Sequence, residues 1–241
     1  MKSWYTERKQ QLEQSLATTI QNGQFVTESK PLAIFLRSWY FWLIQLVPSW
    51  KRDVQLGRRK DGLVRYTYST GMPFIPELNG GLNIPQVYCR STNGEVHFTD
   101  DIIFQPQSQA NGLFRMFVYL ESGVGLLSAR KTLQKVEEWS GGEIVAGQTP
   151  FIIEEYHGRE GTEDANVYQL ASGEEFAKSP LCNCRPEPAG YDKYLLRDKA
   201  KGSFVIVRPD RFIFAACNGE HELRTAVGCM MDVLQGQVFM E

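Results

Sequence analysis

What this sequence most lacks is net charge. Lysine and arginine number 26 against 28 aspartate and glutamate, a formal −2 over 241 residues. Phosphate binding needs a basic face, so this balance argues against nucleic acid as the main partner. Histidine is scarce, with three residues in the chain, and no Gly-x-Ser-x-Gly elbow occurs. A glycine-rich phosphate turn is missing as well. Residues 122–129, Ser-Gly-Val-Gly-Leu-Leu-Ser-Ala, are too poor in glycine and lie mid-chain, so no flavin or other nucleotide cofactor is expected. The first fourteen residues are charged throughout and read without a secretory leader. The five cysteines are unevenly spaced and read as reduced thiols of a cytoplasmic protein. The close pair Cys182 and Cys184 has no second pair or nearby histidine to complete a zinc set, so no metal is expected.

Long apolar runs are rare, with one exception. Residues 32–50, LAIFLRSWYFWLIQLVPSW, are rich in large apolar side chains but contain Arg37, Ser38, Gln45 and Pro48. A membrane span needs about 20 predominantly apolar residues with few charges. The stretch therefore reads as a helix buried against the rest of the protein or a partner, with a helix lying at a membrane interface as the alternative, and not as a span. Residues 51–60, KRDVQLGRRK, carry five basic residues against one acid and read as a solvated surface segment.

The remaining chain gives a mixed order of elements. A polar helix is expected over residues 3–22, stopped at Gly23, and the apolar helix over 31–46, opened by Pro31. Residues 57–85, rich in Gly, Pro, Asn and Tyr, read as an irregular connector. From residue 86 come short strands at 87–90 and 95–98, a buried strand at 113–120, a helix at 129–139 and a strand at 150–156. Residues 158–188 read as a long polar excursion. A short helix at 191–199, a hairpin at 203–216 and a closing helix at 222–234, with Leu223, Val227, Met230 and Leu234 at helical spacing, complete the chain. This order is that of an α/β thioredoxin-like mixed sheet with flanking helices over 86–241, preceded by a helical extension over 1–56.

Several ordered segments resemble a known family. They are YTYSTGMPFIPELNGGLNIPQVYC with Gly81 to Gln86, Thr99-Asp100-Asp101, FRMFVYL, and the hairpin VRPDRFI from Val207 to Ile213. Together with a start at Tyr5, Glu7 and Arg8, they resemble the C-terminal thioredoxin-like portion of flavin-dependent aromatic hydroxylases of the phenol hydroxylase and hydroxyphenylpropionate hydroxylase type. The FAD-binding turn and the later Gly-Asp segment are absent. The resemblance implies a standalone C-terminal-type module of such a monooxygenase, acting as partner subunit to a separately encoded flavin hydroxylase or as a homodimer. Two alternatives stand beside it. One is a flavin-free enzyme repurposed for cyclisation, isomerisation, dehydration or hydrolysis of a hydrophobic or aromatic small molecule; the other is a truncated remnant.

Redox thioredoxin-like proteins need Cys-x-x-C at the start of the helix after a central strand, and residues 119–131 contain no cysteine. The best acid–base candidate is EEYHGRE, where Glu155 would orient His157 as a general base beside Tyr156. Asp100 occupies the family's paired-acid position and reads first as a turn or cap residue. Arg208 and Asp210, at the bend of the hairpin, read as a structural corner, with a ligand contact as the alternative.

Overall fold

The computed structural model describes residues 2–47, 50, 64–105, 112–156, 166–183 and 191–236. The basic segment 51–60 lies outside them. The chain divides into two compact units, Met1–Met72 and Pro73–Glu241.

In the first unit, α1 (Lys2–Thr27) runs four residues past Gly23, where the sequence suggested a stop. The reason lies at its C-terminus, where the last carbonyls need donors. Arg37 Nη1 donates to the carbonyls of Phe25 and Val26 at 2.9 and 2.7 Å, and Thr27 Oγ1 donates to the Gly23 carbonyl. Arg37 sits on α2 (Pro31–Leu46), whose first turn holds Pro31 and whose only buried residue is Ile44. The Phe25 and Phe41 rings meet edge to face at 5.7 Å. Gln10 ties the segment around Thr67 to α1 by a reciprocal pair, its Nε2 donating to the Thr67 carbonyl and its Oε1 accepting from the Thr67 N–H.

The second unit is built on a seven-stranded mixed sheet. Its strands are β1 (Tyr88–Ser91), β2 (Val96–Phe98), β3 (Arg115–Ser122), β4 (Phe151–Glu155), β5 (Val167–Leu170), β6 (Phe204–Val207) and β7 (Ile213–Cys217), in the spatial order β2-β1-β5-β4-β3-β6-β7. β3, β4 and β5 are parallel; every other neighbouring pair is antiparallel. The helices are α3 (Thr99–Ile103), α4 (Leu126–Trp139), α5 (Gly173–Ala177), α6 (Leu195–Ala200) and α7 (Glu220–Leu234). β3-α4-β4 followed by β6-β7-α7, with β6 antiparallel beside β3, is the thioredoxin-like core.

Burial explains why these segments fold as they do. Every residue of β6 and β7 is buried, as continuous apolar strands covered on both faces should be. α4 buries Leu126, Ala129, Leu133 and Val136 at helical spacing, and α7 buries Leu223, Ala226, Val227 and Met230. The two helices lie side by side, joined by Lys135 Nζ to Glu220 at 2.7 Å and by Arg224 over the Trp139 ring. The outer edge of β7 is not open. Residues 75–84 run along it, with Ile75 N–H to Phe214 O, Gly81 N–H to Ile213 O, and Ile213 N–H to Leu82 O. Gly80 is needed there, because a Cβ would stand 2.6 Å from the carbonyl oxygens of Ile75 and Phe214.

The polar excursion expected over 158–188 contains β5 and α5 among its described residues. Ser172 caps α5 and Glu175 returns the bond, its carboxylate accepting from the Ser172 N–H at 2.7 Å. Phe176 then stacks on Tyr88 with centroids 4.0 Å apart, and Tyr191 covers the other side, its hydroxyl accepting from Tyr88 N–H and donating to Ala171 O.

Candidate functional sites at the two ends of the sheet

Parallel strands place their C-terminal ends, and the loops that follow, at one edge of the sheet, where α/β folds commonly build sites. Here β3 and β4 bring Tyr119 and Glu154 together. The Tyr119 hydroxyl donates to Glu154 Oε1 at 2.8 Å, and Arg197 Nη1, from α6, reaches the same oxygen at 3.2 Å. Arg197 is held in turn by Asp198 Oδ1 at 3.0 Å and lies 4.7 Å over the Tyr194 ring. Glu154's side chain is only 11% exposed. Burial first, then the hydrogen bond and charge of Glu154, push the Tyr119 phenol above its usual range. Tyr119 therefore stays protonated and acts as a donor, and the trio clamps α6 to the sheet. Beside it a shallow cleft of about 320 Å³ is lined by Ser122, Arg197, Lys201, Ser203 and Asn218 among others.

The loop between β3 and α4 lies at this same end. It carries Gly123, Val124 and Gly125, with Val124 92% exposed, where a redox thioredoxin-like protein would carry its thiols. Gly123 faces the ring of Tyr156, and a Cβ there would lie 3.1 Å from Cδ2. Of the proposed base group, Glu155 ends β4 exposed and Tyr156 is half-buried. His157 lies outside the described residues, so its expected pairing with Glu155 is not placed. The inward carboxylate of this strand is Glu154, as strand alternation allows. Its partners Tyr119 and Arg197 carried no sequence signal, being 35 and 43 residues away.

The other group assembles at the opposite end, since β6 runs antiparallel to β3 with Val207 opposite Arg115. Asp100, Arg208 and Asp210 lie here, joined by Arg211. Arg208 is buried and donates to Asp210 Oδ2 at 2.6 Å. The turn closes through Arg211 N–H to Arg208 O and Arg208 N–H to Phe212 O, with Arg211 at φ +71°. The Arg211 carbonyl accepts from Ile84 N–H, fixing the bend to residues 75–84. Arg211 Nε stands 2.8 Å from Asp100 Oδ2, yet its N–H is not directed into a hydrogen bond and Asp100 Oδ1 is left without one. Burial accordingly dominates at Asp100 and raises its carboxyl, with the Arg211 charge opposing. Asp101 accepts from Phe98 N–H and caps α3.

Among the described residues the thiols face no such cluster. Cys89 and Cys217 are buried and form no disulfide. Burial pushes Cys89 above the thiol range and Cys217 up to about 12, with nearby Glu222 adding to the latter. Among the described residues no group of three or more His, Cys, Asp or Glu side chains is arranged to hold a metal ion.

No family model matches the sequence, and no curated protein does. Among solved structures the chain is similar to yeast Sco1 with copper bound, at 12% identity over 65% of this chain and 95% of that one, with a TM-score of 0.37. A second structure of yeast Sco1 matches at 10% identity over 66% and 97%, with a TM-score of 0.36. Likeness at this level carries no functional argument, and the copper belongs to Sco1. The expected kinship with flavin hydroxylases is corrected by these comparisons, because the neighbouring structures are Sco1 and not hydroxylase C-terminal domains. The monooxygenase-related partner-subunit function goes with it, together with the alternatives framed around that module. The physical reason is visible in the segments that suggested it. Gly81 serves a backbone position at φ +81°, Asp101 a helix cap, and Asp210 a turn. Such residues recur wherever a chain turns or a helix begins.

Proposed function

We propose that this protein works by non-covalent docking: a thioredoxin-like domain in a chain whose apolar helix α2 binds a protein surface. One observation carries the reading. Leu32, Phe35, Leu36, Trp39, Tyr40 and Trp42 are all exposed on the 16-residue α2, Leu32 to 70%. A helix apolar nearly all round is normally covered, and a contiguous apolar surface of several hundred Å² marks an interaction site.

Protein cover suits α2 better than lipid. At about 1.5 Å per residue, sixteen residues fall short of a hydrocarbon core about 30 Å thick, and among the described residues no helix is long and apolar enough to cross a membrane. Helices that lie on membranes present a face rich in Lys and Arg. The one cation of α2, Arg37, is turned onto the carbonyls of Phe25 and Val26. Thiol exchange is disfavoured by the cysteine-free loop at the start of α4 and by the raised thiols of Cys89 and Cys217. We place the protein in the cytoplasm, where unbonded cysteines persist.

The test is co-flotation of the full chain with vesicles of mixed zwitterionic and anionic lipid. Docking on protein predicts that the chain stays in the dense, vesicle-free fraction without detergent. Quantitative flotation with the vesicles would overturn the reading.

A further inference from the structure

We propose that the occupant of α2 is a second copy of this chain, the α1–α2 segments of two protomers packing as a four-helix bundle about a two-fold axis. This deepens the docking reading and rests on it.

The apolar area of the two helices fits a second copy. The exposed large side chains of α2 present on the order of 1,000 Å² of surface, above the roughly 800 Å² per partner of a standard interface. α1 adds a second stripe: Tyr5, Leu12, Leu16 and Ile20 are exposed large apolar residues, spaced seven, four and four apart as in a bundle-forming helix. Two consecutive helices with uncovered apolar stripes are what one half of a four-helix bundle looks like when seen alone.

The charge of the segment fits a second copy as well. A two-fold interface sets a patch against itself, so a patch rich in one sign would repel its copy. Between Gln14 and Leu46 the only charged residues are Glu28, Lys30 and Arg37. Glu28 Oε1 accepts from the backbone N–H groups of Ser29 and Lys30, and Arg37 is engaged on α1. The charges of α1 lie in its first half, where Lys9 and Glu13 pair at 3.7 Å. The segment is thus close to neutral over most of its length. Self-association tolerates this, whereas a partner recognised by its charge would find little to read.

The experiment is sedimentation equilibrium of the full chain in detergent-free buffer from about 1 to 100 µM, with velocity runs for homogeneity. The expected result is one species of twice 27.5 kDa. Trp42→Asp should weaken association at least tenfold, and Phe35→Asp, on the same helix, should do likewise. Both variants should keep the wild-type far-ultraviolet circular dichroism and a cooperative urea unfolding transition, which show that the chain remains folded. A wild-type monomer at 100 µM overturns the inference. If that monomer also stays clear of lipid vesicles, docking on another protein survives; if it floats with them, both readings fall. Polydisperse aggregates in the wild type, or a dimer unchanged in both folded variants, also overturn it, because the pair is then not closed through α2.

Discussion

Replacing Asp210 by alanine tests whether the charged bend between β6 and β7 is a corner of the fold. Arg208's side chain is 9% exposed and Asp210's is 46% exposed, with Nη2 and Oδ2 2.6 Å apart. Depriving a buried charged donor of an acceptor costs about 1–3 kcal/mol. Solvent reaches the aspartate half of the pair and screens it, which moves the expectation to about 1–2 kcal/mol. For a chain of this size, about 2–4 °C of melting temperature accompany each kcal/mol, so the midpoint should fall by roughly 2–8 °C. The second half of the cycle identifies the cause. With Arg208→Met in the background, the guanidinium is gone and Asp210→Ala should cost no more than about 0.5 kcal/mol. Thermal melts and urea titrations of the four proteins supply the numbers. An equal cost of Asp210→Ala in both backgrounds would refute the reasoning. It would shift the aspartate's role to its longer contact, Oδ1 accepting from Phe212 N–H at 3.4 Å.

Two further predictions concern backbone and pH. Lys201 ends α6 at φ +57°, a left-handed position that disfavours side chains, so Lys201→Gly should gain about 0.5–1 kcal/mol net of the added unfolded-state entropy; a loss in urea unfolding would show that the side chain matters more than the strain. Asp100's folded carboxyl is raised above its unfolded value by burial, so the native state binds more protons than the unfolded one between the two values. Its contribution is present below the unfolded value and lost as pH rises through the folded one. Urea unfolding of wild type and Asp100→Asn from pH 3.5 to 7 should therefore show the wild type losing ground to the variant as pH rises, and a wild type that gains instead would mean that the Arg211 ion pair governs the site.

How much of this was legible in the sequence depends on where each signal sits. The buried strand at β3, the helix α4 and the β6–β7 hairpin announce themselves by apolar runs and periodicity, and the thioredoxin-like order follows from them. β5 was hidden because Val167–Leu170 is short and set among polar residues, although Ser172-x-x-Glu175 before Phe176 is a readable capping box. α1 outran Gly23 because its C-terminal carbonyls find Arg37, a partner on the next helix. The Tyr119–Glu154–Arg197 clamp joins residues far apart in sequence, which no local pattern reveals. Asp100 and Arg211 meet for the same reason, through the course of residues 75–84 along β7. The composition of α2 suggested a covered helix, yet Ile44 is its only buried residue in the single chain, and no local pattern says which surface would cover the rest.

The most direct test of the docking claim is hydroxyl-radical footprinting of Trp39 and Trp42 in the purified chain at about 100 µM, read by mass spectrometry. Both side chains are exposed in the single chain. Cover by a second copy predicts labelling at least several-fold slower than in the urea-unfolded protein, with the rate recovering in Phe35→Asp. Labelling of both tryptophans at the unfolded rate in the native wild type would contradict the account.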